Sequence, residues 1–488
     1  MSKLTDRVYM ASPIWVQKLG INAFGWYWAR RRLGPAFEEY LRGYVERESW
    51  SQDRFTQYME KCFRSQVGRA FEQVPYYRDT FRKHGLGEAD VAKLRLDEIR
   101  RLPLLPKASL RANPEGFLTE SAAADPPKCF HTSGTTGTPL RIYWDFRVHQ
   151  HNIAVRAARS FRWAGVDYRG SRAVVAGRQI LDPRRNQPPF WRYNIWEKQL
   201  YLSAYNILPA NMPDYVTALN KFRPDTLTGF PSAISFLAKA IDEAGLEVHR
   251  PRAIITTSEA LRPAMREIVE RVFRAKAYEE YGSVENCALV TQCEKGGMHV
   301  HPDFGFVEIL RPDGEEAGPG EMGEIVATGF ANTNQILIRY RTGDLARWSA
   351  VPCPCGRTLF PLLEALDGRQ EDVVLFPDGR GMMRFDFLFK ELKGVAEGQV
   401  VQEALTHLVI NIAPTRDYHE SDARTIRERL VTRYGLGPDM NIEIRLLEHI
   451  PREKSGKFRP VISRLRQNPG NGSPGQQPSR TNPDPVQG

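Results

Sequence analysis

Apolar residues recur three and four positions apart through residues 37–48 and 53–71, which predicts amphipathic helices there, and most of the chain up to about Leu110 follows the same spacing. Pro103, Pro106 and Pro114 close that helical region. From Cys129 to about Ile338 the pattern changes. Short apolar runs (Ala173-Val174-Val175, Ala253-Ile254-Ile255, Val307-Glu308-Ile309 and Ile325-Val326-Ala327) alternate with helical spacing over Met212 to Phe222 and Ser232 to Ala244. Such alternation predicts an α/β sheet domain. After Gly368-Arg369 a smaller unit begins, with a strand over Val373 to Phe376, a helix around Phe385 to Leu392 and an edge strand at Asn441 to Leu446. Between them Ile426, Leu430 and Tyr434 fall on one helical face and leave Arg424, Arg427 and Glu428 to solvent. From about Gln467 the chain is rich in Pro, Gly, Ser, Asn and Gln and too poor in apolar residues to offset its ordering entropy, so it is predicted disordered. The expected divisions are a helical part at 1–110, an α/β core at 111–369, a small α+β lid at 370–465 and a tail at 466–488.

Composition sharpens this picture. A chain of 488 residues exceeds a single hydrophobic core, and 41% hydrophobic with 26% charged residues is ordinary globular usage. With 68 Lys and Arg against 58 Asp and Glu, the net charge of +10 favours anionic ligands such as nucleotides. The basic residues fall in short or mixed runs, such as Arg30-Arg31-Arg32 and Arg427-Glu428-Arg429, so no nucleic-acid partner is expected. Gln17, Lys18 and Asn22 interrupt the N-terminal aromatic stretch, which argues against an export signal, and no run of apolar residues has membrane-spanning length. A cytoplasmic location is therefore expected. Residues 14–28 carry Trp15, Phe24, Trp26, Tyr27 and Trp28, and are expected to form a helix whose aromatic face packs on the main domain, with a membrane-surface helix as the alternative.

The most informative segment is Thr132-Ser133-Gly134-Thr135-Thr136-Gly137-Thr138-Pro139. Its glycines permit close backbone approach and its hydroxyls can donate to phosphate oxygens. No Lys follows the second glycine, and the next residues, Leu140 to Trp144, alternate as a strand, so the loop is expected between two strands rather than ahead of a helix. This segment resembles the phosphate loop of the adenylate-forming superfamily, and within it the branch of phenylacetate-CoA ligases and capsule-biosynthesis CapK-like proteins. The resemblance extends to about Arg464. It implies a large adenylate-forming N-terminal domain of mixed sheets and helices with a small mobile α+β C-terminal domain.

Further segments resemble the superfamily's motifs in the expected order. Tyr281-Gly282-Ser283-Val284-Glu285 is similar to the YGxTE segment, whose glutamate holds magnesium; Val284 here lacks the usual hydroxyl, but Glu285 offers the carboxylate a hard cation needs. Thr257-Ser258-Glu259-Ala260 resembles the adenine-side segment, and Ser258 is also a candidate cap for a helix starting near Leu261. Gly229-Phe230-Pro231-Ser232 resembles the turn that shapes the acyl pocket. Tyr340-Arg341-Thr342-Gly343-Asp344 resembles the YRTGD motif, in which the aspartate accepts the ribose hydroxyls. Gly368-Arg369 with Asp372 resembles the hinge, where the arginine approaches the nucleotide. Pro451 to Arg459 resembles the C-terminal PRxxSGK motif and marks Lys457, rather than Lys454, as the adenylating lysine.

Six cysteines in a chain of this length do not make a disulfide scaffold. Cys293-x5-His299 together with Cys353-x-Cys355, the latter in a Pro- and Gly-rich turn, forms a possible Cys3His structural zinc site, with His301 as a competing ligand. Cys287 is expected as a packing thiol.

The resemblance implies ATP, Mg2+ and coenzyme A as participants. The expected reaction is activation of a carboxylic acid as its acyl-adenylate, followed by transfer to a thiol. The alternatives are transfer of the adenylate to another acceptor, as in adenylyl transferases or capsule-biosynthesis enzymes, and a non-catalytic scaffold.

Overall fold

The computed structural model describes residues 8–124, 126–131, 140–182, 184–185, 187–367, 374–382, 385, 387–389, 392–451 and 459–465. The N-terminal region is helical as the spacing predicts, with α1 (Ile14–Arg32), α2 (Pro35–Arg47) and α3 (Gln52–Gln73). Ser51 caps α3 by accepting from the Arg54 N–H, and Phe55, Phe63, Val67 and Phe71 form its buried stripe. Short helical turns continue past Leu110, at Pro114–Phe117 and Glu120–Ala124, so the proline cluster punctuates the helical region without ending it.

Helix α1 packs by one side only. Trp28 is buried, its ring 5.2 Å from that of His149, and Arg31 donates to the Trp144 carbonyl at 2.5 Å. Trp15 and Trp26 remain exposed, at 65% and 42%. The expectation that the aromatic face packs inward therefore holds for Trp28 and fails for these two, because the aromatic residues are spread around the helix rather than gathered on one stripe.

Strands β1 (Lys128–His131) and β2 (Arg141–Trp144) form an antiparallel pair, with Lys128 opposite Trp144 and His131 opposite Arg141. Helix α4 (Phe146–Arg156) follows, capped by the Asp145 carboxylate on the Val148 N–H at 2.7 Å. The alternating region then supplies β3 (Arg172–Ala176), β4 (Trp191–Asn194), β5 (Gln199–Ser203), α5 (Met212–Phe222), β6 (Thr226–Gly229), α6 (Pro231–Glu243), β7 (Ala253–Thr257), α7 (Pro263–Phe273) and β8 (Ala277–Gly282). An antiparallel half comprises β9 (Leu289–Gln292), β10 (Met298–Val300), β11 (Gly305–Leu310), β12 (Met322–Gly329), β13 (Tyr340–Trp348) and β14 (Leu362–Asp367). Among the described residues these join in one twelve-stranded sheet of order β11-β12-β13-β14-β10-β9-β8-β7-β6-β3-β5-β4. Strands β8, β7, β6, β3 and β5 run parallel, each neighbour to neighbour. They read as short apolar runs because helices or aromatic segments cover both faces.

Gly229 ends β6 at φ +155, and a Cβ there would overlap the Val175 carbonyl oxygen of β3. Only glycine permits that approach, and Pro231 at the first turn of α6 then redirects the chain.

After β14 come the two-residue strands β15 (Val374–Leu375) and β16 (Gly381–Met382), then β17 (Val395–Ala404), β18 (His407–Pro414), α8 (Glu420–Thr432), β19 (Asn441–Leu446) and β20 (Val461–Ser463). The last four strands form a separate sheet of order β19-β18-β17-β20, with β19 at the predicted edge. Ile426, Leu430 and Tyr434 are fully buried against it. Among the described residues of the span 385–392 the expected helix is not seen: residues 387–389 are in a turn, and Phe385, Leu388 and Phe389 enter the core. A short apolar run cannot by itself distinguish the two.

Candidate functional site

A cleft of about 1930 Å³ opens at the carboxyl ends of the parallel strands. Brought to its walls are Ser258, Glu259 and Ala260 after β7, Tyr281 and Gly282 at the end of β8, Glu285 just beyond, and Asp344 in β13. His131, the residue at the end of β1 from which the hydroxyl-rich loop departs, lines it too. Thr132 to Thr138, Arg369, Asp372 and Lys457 lie outside the described residues.

Asp344 and Glu285 are each oriented by a tyrosine. Tyr281 Oη donates to Asp344 Oδ2 at 2.9 Å, and Tyr340 Oη donates to Glu285 Oε1 at 3.0 Å. Burial first, and then the adjacent carboxylate, push both phenols well above their ordinary value, so they remain protonated donors. Asp344 is further fixed by its turn: its N–H donates to Thr342 Oγ1 at 3.1 Å, and that hydroxyl donates to the Ile325 carbonyl at 2.8 Å. Glu285 is only 5% exposed, and Lys107 Nζ stands 3.7 Å from its Oε1 while donating to the Thr342 carbonyl at 3.0 Å. Nothing around Lys107 in the sequence marks it; only the fold brings it to Glu285.

The segment 257–260 differs from its helix-cap reading. The helix after it starts at Pro263 with no side-chain cap, and Ser258 instead adopts φ +74. That conformation is uncommon for a residue with a Cβ and is held where the chain turns from β7 into the cleft. Asn286, directly after Glu285, also has positive φ, at +59, and accepts from Asn152 Nδ2 through its Oδ1 at 2.6 Å. Glu259 turns to α6, where it accepts from the Ser232 N–H at 3.3 Å and from the Ser232 hydroxyl. The small C-terminal unit reaches the same cleft, with Thr425, Glu428, Arg429 and Thr432 presenting one face of α8.

The four cysteine and histidine positions also converge. One ligand atom from each of Cys293, His299, Cys353 and Cys355 lies within 4.8 Å of the other three. Cys293 Sγ is 3.6 Å from Cys353 Sγ, and Cys355 Sγ is 3.3 Å from His299 Nε2. His299 Nδ1 faces the Phe360 carbonyl at 2.8 Å. A carbonyl can only accept, so that nitrogen carries the proton and Nε2 presents its lone pair to the thiols. A Cβ at Gly297 would stand 2.7 Å from Cys353 Sγ, so glycine there lets the sulfur approach. His301 is excluded from the cluster: its Nε2 pairs with Thr291 Oγ1 at 2.8 Å. The set suits a tetrahedral, sulfur-rich metal site. Cys287 lies elsewhere, 1% exposed in the main core, where burial pushes its thiol up.

Among the described residues no helix is long and apolar enough to cross a membrane. Residues 381–464 match the family described as the CapK C-terminal domain. Protein CapK of Staphylococcus aureus is 24% identical over 491 aligned positions, spanning 95% of this chain and 100% of that protein. The phenylacetate-coenzyme A ligase of Thermus thermophilus is 24% identical, spanning 68% of this chain and 74% of the ligase. The solved structure of 2-hydroxyisobutyryl-CoA ligase, in complex with 2-HIB-AMP and CoA, superposes with a TM-score of 0.53 at 20% identity, covering 86% of this chain and 92% of that one.

Proposed function

We propose that this chain is an AMP-forming acid–thiol ligase of the adenylate-forming superfamily, in its phenylacetate-CoA ligase-like and CapK-like branch. In this reading a carboxylate attacks the α-phosphorus of ATP, giving acyl-AMP and pyrophosphate. A thiol, with coenzyme A as the acceptor, then takes the acyl group and AMP leaves. The observation that carries the reading is the pair of tyrosine-held carboxylates, Glu285 and Asp344, in one cleft with the root of the hydroxyl-rich loop.

Each role follows from charge. The carboxylate must approach an anion, and negative charge spreads over the phosphoryl oxygens in the transition state. Magnesium held by Glu285 would supply positive charge to those oxygens. The N–H and hydroxyl groups of Thr132, Ser133, Gly134, Thr135, Thr136, Gly137 and Thr138 donate to the phosphates, and Lys457 brings an ammonium to the adenylating step. Asp344 accepts the vicinal ribose hydroxyls, and Ser258, Glu259, Ala260, Tyr281 and Gly282 flank the base and sugar, with Arg369 approaching the nucleotide. Asp372 is the hinge about which the small domain, residues 370–465, turns between the two half-reactions. Cys293, His299, Cys353 and Cys355 hold a structural zinc that braces β9, β10 and the turn before β14.

The test is acid-dependent exchange of pyrophosphate into ATP, with products read by mass spectrometry after addition of coenzyme A. Lys457→Ala should lower exchange on the order of 100-fold, whereas Lys454→Ala should stay near wild type. Equal exchange in wild type and Lys457→Ala would remove the adenylating role. The end-to-end similarity to Protein CapK favours including non-thiol acceptors in the same assay, because a stable AMP conjugate without thioester identifies transfer to another group.

A further inference from the structure

The part of the cleft beneath α1 is built differently from the part that faces Glu285 and Asp344. On β3 the side chains of Arg172, Val174 and Ala176 share one face of the sheet and all line the cleft. Arg172 is 5% exposed, its Cζ 4.1 Å from the centre of the Tyr168 ring and 5.5 Å from that of Phe161. Just past the end of the same strand, Arg178 lies between two rings, 4.9 Å from Phe24 of α1 and 4.7 Å from Tyr201 of β5. Aromatic faces hold these planar cations in place but do not satisfy their N–H donors.

The donors are the informative part. Among the described residues neither guanidinium has an ion pair or hydrogen bond, and Arg172 Nε and Arg178 Nη1 are buried without a partner. Their neighbours in the cleft are neutralised: Arg32 pairs with Glu197 at 2.6 Å, and Arg156 with Glu280. Buried cations are ordinarily paired, because a charge removed from water without compensation is costly. Two arginines left unpaired and clamped by aromatic rings on the wall of a ligand cleft are therefore a site prepared for an anion.

We infer that the acid activated by this protein carries a second anionic group, which Arg172 and Arg178 receive while the reacting carboxylate lies toward Glu285 and Asp344. This rests on the reading of the cleft as an adenylating site. Three strand steps separate β8 from β3, roughly 14 Å at about 4.8 Å per step, so the second group stands well away from the reacting one. The surrounding rings of Phe24, Phe161, Tyr168 and Tyr201 suit an aliphatic or aromatic spacer between the two charges. The substrate class is a dicarboxylic acid or an acid bearing a phosphate or sulfate, rather than a simple apolar acid.

The experiment compares matched pairs, suberate with octanoate and 4-carboxyphenylacetate with phenylacetate, in wild type, Arg172→Gln and Arg178→Gln. The readout is the ratio of kcat/KM for the dianion to that for the monoanion, measured by pyrophosphate release. A partial loss of folded protein cancels in this ratio. Wild type should favour the dianions on the order of 100-fold, and each substitution should cut that preference at least about 10-fold. A wild-type preference for octanoate and phenylacetate, or a ratio unmoved in both variants, overturns the inference and leaves the ligase reading intact. Calorimetric binding of suberate and octanoate with a non-hydrolysable ATP analogue separates the two claims. Suberate binding that is lost in Arg172→Gln, in a protein that activates no acid, sustains the anion site and overturns the ligase reading. Absence of suberate binding to wild type overturns the inference by itself.

Discussion

Glu285→Gln is expected to lower kcat/KM for acid-dependent pyrophosphate exchange on the order of 1000-fold and to abolish its dependence on magnesium concentration. The substitution keeps the shape of the side chain and an oxygen that can accept from Tyr340, so the local fold should persist. What disappears is the charge. A hard divalent cation in this position needs a carboxylate oxygen, and an amide is a poor replacement. Lys107, 3.7 Å away, loses its counter-ion and keeps its bond to the Thr342 carbonyl and its place 6.0 Å from the centre of the Tyr340 ring. Asp344→Asn makes the comparison specific: it should act mainly through a raised KM for ATP, because the proposed contact is to the sugar in ground state and transition state alike. A Glu285→Gln protein that retains magnesium-stimulated exchange near the wild-type rate would move the metal site away from this residue.

The second large effect concerns stability. Protein purified without chelators should contain one zinc per chain, and Cys293→Ala or His299→Ala should lose it. The expected cost is on the order of 4 kcal/mol, seen as a fall in Tm of roughly 5–10 °C. The reason lies in what the cluster joins. Cys293 follows β9, His299 is in β10, and Cys353 and Cys355 are in the loop between β13 and β14, so the ligand atoms gather parts of the chain about 60 residues apart, as the Cys293–Cys353 separation of 60 positions shows. Trp163 packs edge-on at 5.7 Å from the His299 ring, so loss of the ligands would also loosen the aromatic packing beside them. Stoichiometric absence of metal, together with a Tm unmoved by strong chelators, would reduce the cluster to packed thiols.

Much of the parallel sheet was readable because its strands are short apolar runs buried on both faces, and β7, with Ala253 to Ile255, falls where the pattern places it. The helix over Met212–Phe222 matches its expected span as well. Spacing served less well where burial is uneven. The run 385–392 has the composition of a buried helix, but its described residues Phe385, Leu388 and Phe389 pack from non-helical backbone, and β17 and β18 are not among the elements that spacing predicts although their pairing organises the C-terminal sheet. In the cleft, the residue types of Glu285 and Asp344 were recognisable by motif, yet their tyrosine partners lie 55 and 63 positions away in the chain. Pairings of that range depend on strand order, which local pattern does not contain. The positive φ of Ser258 was hidden for a related reason: serine before a helix ordinarily announces a cap, and only the later start at Pro263 reveals a strained turn.

The ammonium of Lys107 stands 3.7 Å from Glu285 Oε1. On the proposed assignment a bare divalent ion arriving alone has to displace a resident cation, so its intrinsic hold on the protein is weak. A triphosphate would offer Lys107 competing negative charge and so leave the Glu285 carboxylate available to the ion. Metal and nucleotide should therefore load as one complex, with each strengthening retention of the other by the same factor.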